Sequence, residues 1–124
     1  MIETTNFTVK GDEMLRCPCC GKGGLSVALL ILLEGVRAHF NAPVTITSGA
    51  RCVEHNAEVG GAKRSEHLIT KEEPLADAVD ISVEGVTTTQ LYLFLKSLPF
   101  ANLLGIGKYK TWVHVDTRGY AARW

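Results

Sequence analysis

Thr111-Trp112-Val113-His114-Val115-Asp116 and, upstream of it, Asp77-Ala78-Val79-Asp80-Ile81-Ser82-Val83 carry the alternation that decides the fold. Successive side chains of a strand point to opposite faces. In the first stretch the β-branched residues 111, 113 and 115 form one face, leaving Trp112, His114 and Asp116 on the other. In the second, residues 79, 81 and 83 go to a core and Ala78, Asp80 and Ser82 lie opposite, while Asp77 falls in phase with the core set. Such strands predict a sheet with one face packed and the other open, and the open face carries two carboxylates and a histidine.

Outward from these strands, Leu104 to Tyr109 lies close enough to Thr111–Asp116 to form a hairpin. Thr87 to Leu98 reads as a helix, with Thr87 or Thr88 as N-cap and Pro99 just beyond its end. Pro43 opens a strand over Val44 to Ser48 that ends at Gly49. Leu25 to Phe40 reads as a mostly buried helix with apolar residues at 25, 29, 32, 33, 36 and 40. Residues 51 to 66 read as a short helical turn and a loop, followed by a charged insert from Thr70 to Pro74. Helices and strands mix without regular alternation. The expectation is therefore an α+β fold, a small and largely antiparallel sheet with helices packed on one face.

The chain has 124 residues, enough for a single domain over 1–124 whose first 24 residues form a cysteine-containing segment. Hydrophobic residues make up 46% and charged residues 21%, a composition that excludes disorder. Thirteen basic against thirteen acidic residues give no net field to attract nucleic acid or anionic lipid. The longest apolar run, Val27 to Leu33, is far short of the ~20 residues that cross a bilayer, so membrane insertion is not expected. The first sixteen residues contain no apolar stretch of signal-peptide length. Gly60-Gly61 and Gly105-x-Gly107 do not complete a phosphate-binding loop. Cys17 and Cys20 have zinc-knuckle spacing, yet the only other half-site is Cys52; a link to Cys52 or free thiols is the preferred reading, and no catalytic setting surrounds these cysteines.

His67, Asp80 and His114 together have the composition of a catalytic zinc site, with three protein ligands and a fourth position for water. Four histidines and thirteen acidic residues can also yield such a trio by chance. His39 falls where a cation suits a helix C-terminus. His55 is a loop residue whose neighbours Arg51 and Asn56 leave a substrate contact open.

Ser48-Gly49-Ala50-Arg51-Cys52, His55-Asn56, Val59-Gly60-Gly61, Ser65-Glu66-His67-Leu68, Ala78-Val79-Asp80-Ile81 and Trp112-Val113-His114-Val115-Asp116 stand in an order that resembles the zinc D-alanyl-D-alanine carboxypeptidase family, most of all its small phage-type peptidoglycan peptidases. The likeness spans about residues 43–119. It implies the fold shared with the hedgehog signalling domain, one zinc per chain held by His67, Asp80 and His114, and substrate contact or oxyanion stabilisation by Arg51. Two departures stand out. His67 and Asp80 are thirteen residues apart where the family usually has seven, so the 70–74 insert is expected at the rim of the site. The family's usual acid position, three before the last ligand, is Thr111.

Asp116 shares the face of His114 and is the candidate general base; the alternative is an acceptor that orients a ligand histidine. Trp112 would pack against substrate or cover the sheet edge. What the resemblance implies is a monomeric zinc peptidase made in the cytoplasm and cutting peptidoglycan peptides after lysis, holin release or delivery in a phage particle. A wall-peptide binding module that does not cut, or a phage structural protein keeping the fold, is the alternative.

Overall fold

Ser26 starts the first helix: its backbone is extended and its side chain accepts a hydrogen bond from the Leu29 amide at 3.4 Å. The computed structural model describes residues 24–49, 67–69 and 75–124. Within them α1 (Val27–Phe40) buries Leu29, Leu30, Leu32, Leu33 and Val36, and Asn41 ends it in the left-handed region. Leu25, expected as the helix's first turn, belongs instead to β1 (Gly24–Leu25), which pairs in parallel with β3 (Leu75–Ala76). A Ser N-cap directly after Leu25 makes that residue too early for the helix.

Five further strands form one sheet. β2 (Val44–Ser48) and β4 (Ala78–Val83) pair antiparallel, as do β4 and β6 (Val113–Asp116), and β6 and β5 (Gly105–Lys108). The order is β2-β4-β6-β5-β7, where β7 (Ala122–Arg123) adds in parallel to β5. Between β4 and β5 lies α2 (Thr88–Lys96), opened by a capping box in which Gln90 N–H donates to Thr87 Oγ1 at 3.0 Å and Thr87 N–H to Gln90 Oε1 at 2.8 Å. Among the described residues, the mixed but mostly antiparallel sheet with two α-helices is the expected α+β architecture.

Val79, Ile81, Val83, Ile106, Val113 and Val115 form one buried cluster with the apolar residues of α1 and with Leu91 and Leu95 of α2. This is the predicted core face. The opposite face departs from expectation, because Asp116 is fully buried and His114 is only 8% exposed. The C-terminal segment covers them: β7 is tied by Arg123, whose guanidinium donates to the carbonyls of Leu104 and Ala101 at 2.6 and 2.7 Å. No periodicity announces a two-residue strand, so β7 escapes a sequence reading. Among the described residues no helix is long and apolar enough to cross a membrane.

The sheet core and the helix surface predict different costs for the same deletion. Ile81→Ala should cost ~2–5 kcal/mol, since the side chain is fully buried under the helices. Ile31→Ala, at a position 62% exposed, should stay within ~0.5 kcal/mol. Denaturant unfolding of both variants checks the assignment of the packed face.

Candidate metal centre

Asp80 and His114 are direct cross-strand partners in the β4–β6 register, so their side chains leave the same face within reach of each other. His114 Nδ1 lies 2.9 Å from Asp80 Oδ1. His67, immobilised next to the end of β2, completes the group: its Nε2 is 3.2 Å from Asp80 Oδ1 and 3.2 Å from His114 Nδ1. A tetrahedral ion with bonds of about 2.0–2.1 Å separates its ligand atoms by about 3.3 Å, close to the two 3.2 Å edges of this triangle and longer than the 2.9 Å edge between Asp80 and His114. The insert before β3 does not keep Asp80 from the site. Residues 70–74, the loop 51–66 with Arg51 and His55, and the cysteines at 17, 19, 20 and 52 lie outside the described residues.

The outer hydrogen bonds assign the ring nitrogens. A carbonyl can only accept, so His67 Nδ1–H donates to Gly49 O at 2.8 Å and leaves Nε2 as the ring nitrogen that could hold a metal. His114 has the reverse arrangement: Nε2–H donates to Asp116 Oδ2 at 2.7 Å and Nδ1 faces the triangle. Two imidazole nitrogens and a carboxylate oxygen thus converge on a point where a proton or a cation must sit between them. The donor set fits zinc, whose common ligands are nitrogen and carboxylate oxygen.

The electrostatics agree. Burial alone would raise the Asp80 pKa, but hydrogen bonds and charge from His114 and His67 pull it down to about 2. Burial would lower that of His114; the hydrogen bonds and charges of Asp116 and Asp80 outweigh it and move the ring above its ordinary value. For Asp116 burial also works upward, and Arg118 and His114 more than reverse it, holding the carboxyl well below the usual carboxylate range.

Asp116 is the site residue whose setting differs most from the sequence expectation. Its carboxylate is buried beneath a two-point contact from Arg118, Nε to Oδ1 at 2.7 Å and a terminal nitrogen to Oδ2 at 2.6 Å. Backbone N–H groups of Gly105 and Arg118 reach Oδ1 at 3.2 Å. With His114 on Oδ2, both oxygens are engaged, and the carboxylate lacks the open exposure expected from the strand pattern. Trp112 is half-buried and stacks on Tyr109, centroids 4.9 Å apart. His39 does lie in the last turn of α1, where its ring stacks on Phe94 at 4.0 Å.

Arg118, Trp124, Gly105 and Gly107 were not singled out as site residues by their sequence pattern. Trp124 packs its ring 5.1 Å from that of His114, and Gly105 and Gly107 pair with Asp116 and His114 in the β5–β6 register. Glycine at both same-face positions of one strand is the signal that was available.

A model of the family described as Peptidase M15 matches residues 6–116. The chain belongs to the peptidase M15 family. That family is the one the sequence motifs resemble, and membership indicates a peptidase acting on a peptide substrate. Neither the curated proteins nor the solved structures include a match to this M15 chain.

Each ligand of the triangle should be indispensable to metal binding. Elemental analysis of the purified protein is expected to give one metal ion per chain, and none in His114→Ala; retention of stoichiometric metal in that variant would remove the triangle as the binding site. Because the ion must displace a proton from the raised His114, affinity should fall about tenfold per pH unit below that group's pKa. Competition with a chelator across pH 5–8 reads the slope.

Proposed function

We propose that this M15 protein is a zinc peptidase that hydrolyses the stem peptides or cross-links of bacterial peptidoglycan, with His67, Asp80 and His114 as the metal ligands. The observation that carries the proposal is the opposed tautomer pattern of the two histidines, Nε2 of one and Nδ1 of the other aimed at the same carboxylate oxygen. When bound there, zinc supplies a Lewis acid for the scissile carbonyl and brings the pKa of a water towards ~7. Arg51, which follows the β2 strand in sequence, is assigned to the negative charge of the tetrahedral intermediate or to a peptide carboxylate, through its planar fork. His55 and Trp112 are assigned to substrate contact.

Asp116 orients His114 and does not take the proton of the attacking water, an assignment supported by its burial and its complete set of hydrogen bonds. Proton transfer then falls to a carboxylate outside the described residues, and Glu66, adjacent to His67 in sequence, is the first to replace. Delivery to the wall by lysis, a holin or a phage particle is part of the same proposal. A second reading, a wall-peptide binder that does not cut, draws on Thr111 at the family's usual acid position.

Mass spectrometry of peptidoglycan digested with the zinc-loaded protein tests the activity. New peptide termini, or loss of a terminal D-alanine, are expected; an unchanged digest that still co-sediments with the protein would favour the binder. Asp116→Asn should weaken zinc binding by ~10–100-fold and regain its rate in excess zinc. A ~10²–10⁴-fold loss that zinc does not restore would return Asp116 to proton transfer. Glu66→Gln is expected to show that second pattern, with zinc content unchanged.

A further inference from the structure

The Asp116 carboxylate has no solvent exposure, and a buried charge persists only where its hydrogen-bonding capacity is filled. Arg118 supplies most of that filling. Its guanidinium takes both oxygens in a fork, and Oδ2 is shared between Arg118 and His114 Nε2. The plane of the His114 ring is therefore set by an oxygen whose own place is set by Arg118.

The C-terminus holds Arg118 in turn. The Trp124 ring lies 5.1 Å from the guanidinium and 5.1 Å from the His114 ring, covering both ends of the chain of contacts. Tyr120 stands 5.6 Å from the guanidinium. Trp124 is fixed on β5 by its amide to Ile106 O at 3.2 Å, its carbonyl to the Lys108 amide at 2.8 Å, and its indole N–H to Tyr109 Oη at 2.8 Å. The two glycines make the room. A Cβ at Gly105 would lie 2.6 Å from the Asp116 oxygens, and one at Gly107 would run into the Trp124 indole. Side chains two apart share a strand face, so Gly105-x-Gly107 clears one track for Arg118 and Trp124.

We propose that Arg118, clamped under Trp124, is a positioning residue for the metal ligand His114, acting through Asp116, so that the last strand of the chain is a working part of the metal centre. The proposal rests on the metal reading above. A bidentate guanidinium fixes both carboxylate oxygens in one plane, whereas an ammonium fixes one point. Loss of the fork frees Asp116 to rotate, and with it the direction of the His114 Nδ1 lone pair.

The test uses the full chain loaded with zinc or cobalt(II), with Arg118→Met, Arg118→Lys, Trp124→Phe and, as a control in the core on the packed side of the sheet, Leu91→Ala. Zinc affinity by chelator competition should fall ~10–100-fold in Arg118→Met and by less in Arg118→Lys. The visible d–d bands of the cobalt protein should shift in both, because they report ligand geometry. Leu91→Ala should lower the melting temperature and leave affinity and spectrum unchanged. If Arg118→Met does not fold, Arg118→Lys and Trp124→Phe carry the same reading. Wild-type affinity and spectrum in the folded Arg118 variants, or equal shifts in Leu91→Ala, would overturn the positioning role. A wild-type chain that takes up neither metal would instead overturn the metal reading and this proposal with it.

Discussion

The register between β4 and β6 is the constraint on which the site depends. It sets Asp80 directly opposite His114, and the same pairing sets Ala78 opposite Asp116 and Val79 opposite Val115. A slip of one residue would exchange the faces, burying Asp80 beneath the helices and turning Val79 into the site. The apolar residues that fix this register are those that build the core: Val79 and Ile81 on one strand, Val113 and Val115 on the other, all fully buried. Packing energy on one face thus specifies the geometry of the Asp80–His114 pair on the other. Among the described residues the candidate cluster takes its third member, His67, from outside these two strands, and the Gly49 carbonyl after β2 orients it.

Charge placement completes the arrangement. His114 stands between two carboxylates, Asp80 at its Nδ1 and Asp116 at its Nε2, and both lie below the ordinary carboxylate range. They differ in what else they touch. Asp116 is closed in by Arg118 and has no solvent exposure, while Asp80 faces the two histidines and keeps some. One carboxylate is thereby closed in as an acceptor for His114 and the other is left facing both histidines, which is how a pair of chemically identical groups comes to sit in two different settings. The aromatic cover from Trp124 limits water on the Asp116 side.

Much of this was legible in the sequence because strand alternation is a local property. The strand Val44–Ser48, the segment around Asp80, the hairpin ending in Asp116 and the Thr87 cap all follow from residue patterns that their own neighbours determine. The triad of His67, Asp80 and His114 followed from the polar phase of two strands together with the family likeness. The closure of the polar face was not legible. It depends on β7 returning to β5, on Arg118 folding back two residues onto Asp116, and on glycines whose value lies in what approaches them. An alternating strand states which residues leave the core but says nothing of what later covers them, so Asp116 read as exposed although it is the most enclosed acid of the site.

The claim most open to direct measurement is that the two histidines coordinate through different nitrogens. Long-range proton–nitrogen NMR correlation on the zinc-loaded protein distinguishes a protonated, a bare and a metal-bound ring nitrogen in each histidine. The account predicts that His67 keeps its proton on Nδ1 and binds through Nε2, while His114 keeps its proton on Nε2 and binds through Nδ1. The same tautomer in both rings, or ring signals unmoved by zinc, would contradict it.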